Sequence, residues 1–137
     1  MRDLDRVVAR PLAGRTLGSA GESTFVIEEN LDDGTEVGQL IAPPHRHLEE
    51  DEAWYVLEGR LGVRLGEEDV EVAAGDAVLG PRGVAHTFWN PGPGPLRYLL
   101  VMGPRTAALL AALHDGTGRD RQAVEALFLE FGVELLA

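Results

Sequence analysis

Cysteine is absent from the 137-residue sequence, which excludes disulfides, thiol nucleophiles and thiolate metal sites together. Any metal must then be held by imidazole and carboxylate. Histidine is scarce, with only His45, His47, His86 and His114. Positive charge is short as well: 12 basic against 23 acidic residues give a formal charge of −11, a balance that repels phosphate backbones and anionic lipid surfaces. Nucleic acid and membrane are therefore not expected as partners. No apolar run approaches the length that spans a bilayer, and the opening "MRDLDRVVARPLAGRTL" lacks the apolar segment of a signal peptide. The expectation is a soluble cytoplasmic protein. The length suits one hydrophobic core and starves two, so a single domain over residues 1–137 is expected.

What is abundant is glycine, at 17, with 8 prolines placed between short aliphatic runs. This is the punctuation of tight turns between strands. "TFVIEE" (Thr24 to Glu29) and "EVGQLIAP" (Glu36 to Pro43) read as two strands paired across the turn-rich "NLDDG". Leu61, Val63 and Leu65 then alternate with Gly62 and Arg64, and Val70 and Val72 alternate with acids, a period of two. "HTFWN" and "LRYLLVMG" add two more strands around "PGPGP". The pattern predicts an all-β body over about 24–102, closed or sandwiched so that sheet edges are removed. Beyond Pro104 the period changes. "TAALLAALHDG" and "RDRQAVEALFLEFG" read as two short helices in a helical tail over about 104–137, with Asp120 capping the second and Gly132 ending it.

His45 and His47, two residues apart, share a face if they lie on a strand, and Glu52 opens the next strand. Mixed imidazole and carboxylate suits redox-capable first-row metals. A further histidine arrives in "GDAVLGPRGVAHTFWN". Gly75, Pro81, Gly83, His86 and Asn90 match the motif G-x5-P-x-G-x2-H-x3-N at every fixed position, a coincidence on the order of one in a million or rarer at ordinary Gly and Pro usage. By this motif the chain resembles the cupin superfamily. The companion motif G-x5-H-x-H-x3,4-E-x6-G is met by His45, His47, Glu52 and Gly59, except that six residues instead of five separate Gly38 from His45. Counting back from Gly59 selects Glu52 over Asp51. Glu49, Glu50 and Asp51 read as a solvated loop, Asn90 as a turn-fixing residue and His114 as surface or interface.

The resemblance implies a double-stranded β-helix, or jelly-roll barrel, with a His3Glu metal centre at its mouth. It implies one divalent transition metal ion per chain (nickel, manganese, iron, cobalt, copper or zinc) on His45, His47, Glu52 and His86. Trp54, Val56 and Phe88 are the candidate pocket residues, since Phe88 shares a strand face with His86, and Trp54 and Val56 share one with Glu52. The tail "ALFLEFGVELL" is similar to the ends of small quercetin-dioxygenase-like cupins. That narrower likeness implies a dioxygenase acting with dioxygen on a small enolic or phenolic molecule, with Glu52 as both ligand and general base. A metal-dependent isomerase, a polyketide-type cyclase and a non-catalytic metal or small-ligand binding protein share the same fold and ligands. The apolar residues Leu127, Phe128, Phe131, Leu135 and Leu136 of the tail point to a homodimer.

Overall fold

A computed structural model describes residues 7–19, 21, 23–116 and 118–136; residues 1–6 and 137, the ends of the expected domain, lie outside them. Ten strands and two helices follow in the order β1 (Thr16–Leu17), β2 (Val26–Asp32), β3 (Leu40–His47), β4 (Glu52–Glu58), β5 (Arg60–Leu65), β6 (Glu68–Ala73), β7 (Ala77–Gly80), β8 (His86–Trp89), β9 (Leu96–Met102), α1 (Pro104–Asp115), α2 (Arg121–Glu130) and β10 (Val133–Leu135). The strands form two five-stranded antiparallel sheets, β1-β2-β9-β4-β7 and β10-β3-β8-β5-β6. This is the mostly β architecture with two C-terminal helices that the sequence pattern and the resemblance implied.

Side-chain alternation puts one face of each sheet inside. Val26, Trp54, Val56, Leu61, Val63 and Leu96 are fully buried, and Tyr98, Leu100, Met102 and Phe88 complete this core. Burying a large aliphatic or aromatic side chain contributes roughly 1.5–3 kcal/mol each, so these inward rows dominate the driving force for closure. The turns between them rest on glycine at two positions with positive φ, which glycine adopts without strain. Gly59 has φ +81°, and a Cβ there would meet the Pro95 carbonyl oxygen at 2.2 Å. Gly83 has φ +83°, and its N–H donates to the His47 carbonyl at 2.7 Å, tying the turn that delivers His86 to the strand that carries His47.

Three expectations are corrected. The strands around "NLDDG" do not pair with each other: β2 lies between β1 and β9, whereas β3 lies between β10 and β8 in the opposite sheet. Barrel closure joins strands distant in sequence, so the Asp33–Gln39 segment is a crossing between sheets and not a hairpin turn. The tail is not wholly helical. Gly132, at φ +77°, turns the chain after α2, and Val133, Glu134 and Leu135 pair with His47, Arg46 and His45. Nor is the tail's apolar side left open: Phe128 and Val133 are buried with Leu109, and Leu127, Phe131 and Leu135 pack against them. Asp120 does cap α2, its Oδ1 accepting from the Ala123 N–H at 2.8 Å.

Asn90 has the turn-fixing role expected of it. Buried at 1% exposure, it donates from Nδ2 to Asp32 and to the Gly94 carbonyl, while its Oδ1 accepts from Gly92 N–H. Gly38 donates to the Asn90 carbonyl at 2.8 Å. The extra residue between Gly38 and His45 is absorbed where β3 slips register against β8, between Leu40 and Ala42 and again between Ala42 and His45.

Candidate metal centre

Four side chains converge at one end of the barrel. β3 contributes His45 and His47 on its inward face, β8 contributes His86 directly across from His45, and β4 contributes Glu52 from the facing sheet. They are 6%, 3%, 2% and 5% exposed, so four ionisable groups sit where such groups are normally excluded unless paired or coordinating. One ligand atom from each lies within 4.8 Å of the others. The ring centroids of His45 and His86 are 4.4 Å apart, those of His45 and His47 4.9 Å.

Hydrogen bonds behind the rings aim their Nε2 atoms inward. His45 Nδ1 donates to the Pro43 carbonyl at 2.6 Å. His47 Nδ1 is 3.1 Å from the Thr106 hydroxyl, and that hydroxyl donates to Glu50 at 2.8 Å. Because a hydroxyl has one proton, giving it to Glu50 leaves Thr106 Oγ1 to accept from His47, which fixes the His47 proton on Nδ1. His86 Nδ1 faces the Val84 carbonyl at 3.4 Å and its Nε2 faces Glu52 at 3.1 Å. His47 Nε2 is buried without a hydrogen-bond partner, 3.7 Å from Glu52 Oε1. An inward lone pair that no protein donor satisfies, beside a carboxylate and two more imidazoles, fits a divalent first-row metal ion.

The electrostatics agree with that fit. Burial pushes the His45 imidazolium down to about 4, helped by repulsion from His86. His47 is lowered by burial too, with Glu52 acting in the opposite sense. Burial alone would raise Glu52, but the hydrogen bond from His86 and the fields of His47, His86 and His45 outweigh it, and the carboxyl lies below its ordinary value. His45 and His47 held toward the neutral imidazole, beside an ionised Glu52, are in the protonation states that bind metal.

Glu50 and Thr106 escaped the sequence reading. Glu50 accepts from the backbone N–H groups of Arg105 and Thr106 at 3.0 and 2.8 Å as well as from the Thr106 hydroxyl. It thereby caps α1, whose own N-cap, Gly103, has no side chain to do so. Glu49 pairs with Arg105, and Asp51 accepts from Arg82 N–H. Glu49 and Asp51 are exposed, as expected of a solvated loop, but the acidic run also clasps the β3–β4 loop to its neighbours, and the half-buried Glu50 departs from that expectation. The available signal was a helix beginning Gly-Pro-Arg-Thr, which must find an acceptor for its first N–H groups elsewhere.

The cluster opens into a cavity of about 400 Å³. His45, His47, Glu52 and Phe88 line it, along with apolar residues of α1 and α2 such as Leu109, Leu113 and Phe128. Trp54 and Val56 do not. Both are fully buried in the core beneath, with the Trp54 ring 5.3 Å from that of His86. His114 is exposed, yet α1 places it on the cavity lining.

A family model described as cupin domain matches residues 35–102, the segment that holds all four converging side chains. The chain carries a cupin domain. Relatives of this cupin include an uncharacterized protein of Streptomyces coelicolor, 39% identical over 74 residues that make up 54% of this chain and 64% of that protein. Among solved structures, a Thermus thermophilus protein is 27% identical with TM-score 0.54, covering 76% of this chain and 96% of its own. A protein of Silicibacter pomeroyi described as a sugar phosphate isomerase from a cupin superfamily is 28% identical with TM-score 0.52, covering 61% of this chain and 52% of its own. The match thus spans less than two thirds of the Streptomyces and Silicibacter proteins.

Proposed function

We propose that this cupin binds one divalent transition metal ion through His45, His47, Glu52 and His86 and acts as a dioxygenase on a small, apolar-bodied molecule bearing an enol or phenol. The observation that carries the reading is a buried ligand set opening into a largely apolar cavity. When bound, the ion supplies Lewis acidity and one-electron chemistry. In a dioxygenation both oxygen atoms enter the substrate, so dioxygen is the oxidant and no external reductant is needed.

The chain's own residues do the rest. Phe88 and Phe128 flank the space beside the histidines, and Leu109 and Leu113 of α1 cover it. A planar ring held there is stripped of water and aligned. Glu52, ionised at neutral pH because three imidazoles face it, accepts the proton of the substrate hydroxyl as the substrate takes its place. Thr106 and Glu50 keep the His47 lone pair on the site side of the ring.

A second reading, a metal-dependent isomerase, draws on the similarity to the Silicibacter protein. The lining speaks against a phosphorylated substrate, since among the described residues no arginine or lysine faces the cavity and phosphate recognition ordinarily requires one. Oxygen uptake separates the two. The metal-loaded protein is to be screened with a flavonol, a catechol and a β-diketone, aerobically and anaerobically. The dioxygenase reading expects uptake stoichiometric with substrate loss, and Glu52→Gln to slow it by roughly a hundredfold or more. Conversion without oxygen would replace it by the isomerase reading.

A further inference from the structure

Across the cavity from His45 and His47, the wall is built by β2 and β9 of the other sheet. Glu28 and Asn30 of β2 and Tyr98 of β9 all face inward, alternating with outward neighbours, and Asn30 is paired in register with Tyr98 while Glu28 is paired with Leu100. Tyr98 is only 4% exposed, and its hydroxyl makes no hydrogen bond among the described residues. Buried tyrosine hydroxyls normally find a partner, and one that lines a cavity without one is a donor aimed at whatever fills that cavity. The phenol stays protonated, raised first by burial and then by Glu28, Glu52 and Asp32. Glu28 is half-buried. Its Oε1 accepts from Asn30 Nδ2 at 3.1 Å, which fixes the carboxylate against the wall, and it forms no ion pair among the described residues.

A donor and an acceptor thus stand side by side on an otherwise apolar surface. The group that satisfies both is a hydroxyl, which accepts from Tyr98 and donates to Glu28 at once. An ammonium can only donate, which would leave the Tyr98 proton without an acceptor. A carboxylate or phosphate would be repelled by Glu28 and Glu52 with no arginine or lysine in the lining to offset them. We infer that Tyr98 and Glu28, braced by Asn30, form a recognition subsite for a hydroxyl group carried at the end of the substrate that meets the β2–β9 wall, so that the substrate is an uncharged molecule hydroxylated at two separated positions. This rests on the reading of the cavity as the substrate pocket and deepens it.

The experiment uses zinc-loaded protein, because zinc is redox-inert and separates binding from turnover. Two probes are titrated calorimetrically: a flavonol with a hydroxyl on its pendant ring, and the same flavonol without it. The wild type should bind the hydroxylated probe about tenfold more tightly, the size of one hydrogen bond to a charged group. Tyr98→Phe and Glu28→Gln, each close to isosteric, should remove that preference and leave the affinity for the other probe unchanged. Zinc content and circular dichroism confirm that each variant is folded, and the wild-type preference is read independently of both. Equal binding of the two probes by the wild type would overturn the subsite, as would equal weakening of both by the variants or no binding of either. Failure of the dioxygenase reading looks different: it is the absence of oxygen uptake by protein loaded with a redox-active metal, while the zinc protein still discriminates between the probes.

Discussion

His47 shows how much a single ring depends on groups outside any metal-ligand motif. Its Nδ1 proton is received by Thr106, and Thr106 is held by Glu50, which lies in the loop just before Glu52. Partners of this kind typically govern metal affinity by 10- to 100-fold. Thr106→Val, which keeps the shape and removes the acceptor, should therefore weaken metal binding by about tenfold or more in a chelator competition, and Thr106→Ser should restore it; equal affinity in all three proteins would remove the relay. The motif spacing made His45, His47, Glu52 and His86 legible because ligands to one ion must recur at fixed strand positions. Glu50 was not legible, since its carboxylate is chemically like its neighbours and only the arrival of α1 singles it out. The same burial sets a pH dependence. His45 titrates near 6.5 when unfolded and is pushed down to about 4 in the folded, metal-free protein, so between those values the unfolded chain binds the extra proton. Stability must then fall as pH drops from about 6.5 to about 4 and level off below. The lowered carboxyl of Glu52 adds a loss of the same sign as the pH falls through its folded value. Urea midpoints of the metal-free protein at pH 7, 5.5 and 4 test this, and an unchanged midpoint would contradict it.

Among the elements, two strands outside the expected span of about 24–102, β1 and β10, were hidden from a reading by periodicity. Two or three residues are too few to show a period, and "VEL" of β10 continues the apolar spacing of α2 well enough to pass as helix. What ends α2 is Gly132 in the left-handed region, and what makes β10 a strand is the open edge of β3, which carries two of the histidines. The pairing of β2 and β3 was misread for a related reason: local alternation identifies strands, whereas barrel closure decides their neighbours. The caps were readable because their chemistry is local. Asp120→Ala should cost about 1 kcal/mol of stability in a denaturant titration, with metal content unchanged since α2 supplies no ligand. A loss below about 0.3 kcal/mol would mean that the cap seen at Ala123 contributes nothing.

For the molecule as a whole, the outer face of the sheet containing β4 carries a run of apolar side chains without cover. Ile27, Val101, Ala53 and Leu79 run in one register row across four strands, with Leu99, Tyr55 and Ala77 in the next. Phe25, Tyr55 and Leu79 are 51%, 42% and 57% exposed. A homodimer built on this face would bury it, symmetric pairing being the commonest arrangement for such a surface. Light scattering at high protein concentration should give twice the chain mass and Leu79→Glu should halve it, whereas a monomeric wild type would remove the dimer. All of these properties are arranged around one centre, and its metal content is the most direct measurement. Elemental analysis of the purified protein should give one transition metal ion per chain. The His86→Ala variant should lose most of it and the His114→Ala variant should keep it. Full metal content in His86→Ala, or a wild type that takes up no divalent metal when loaded, would contradict the account.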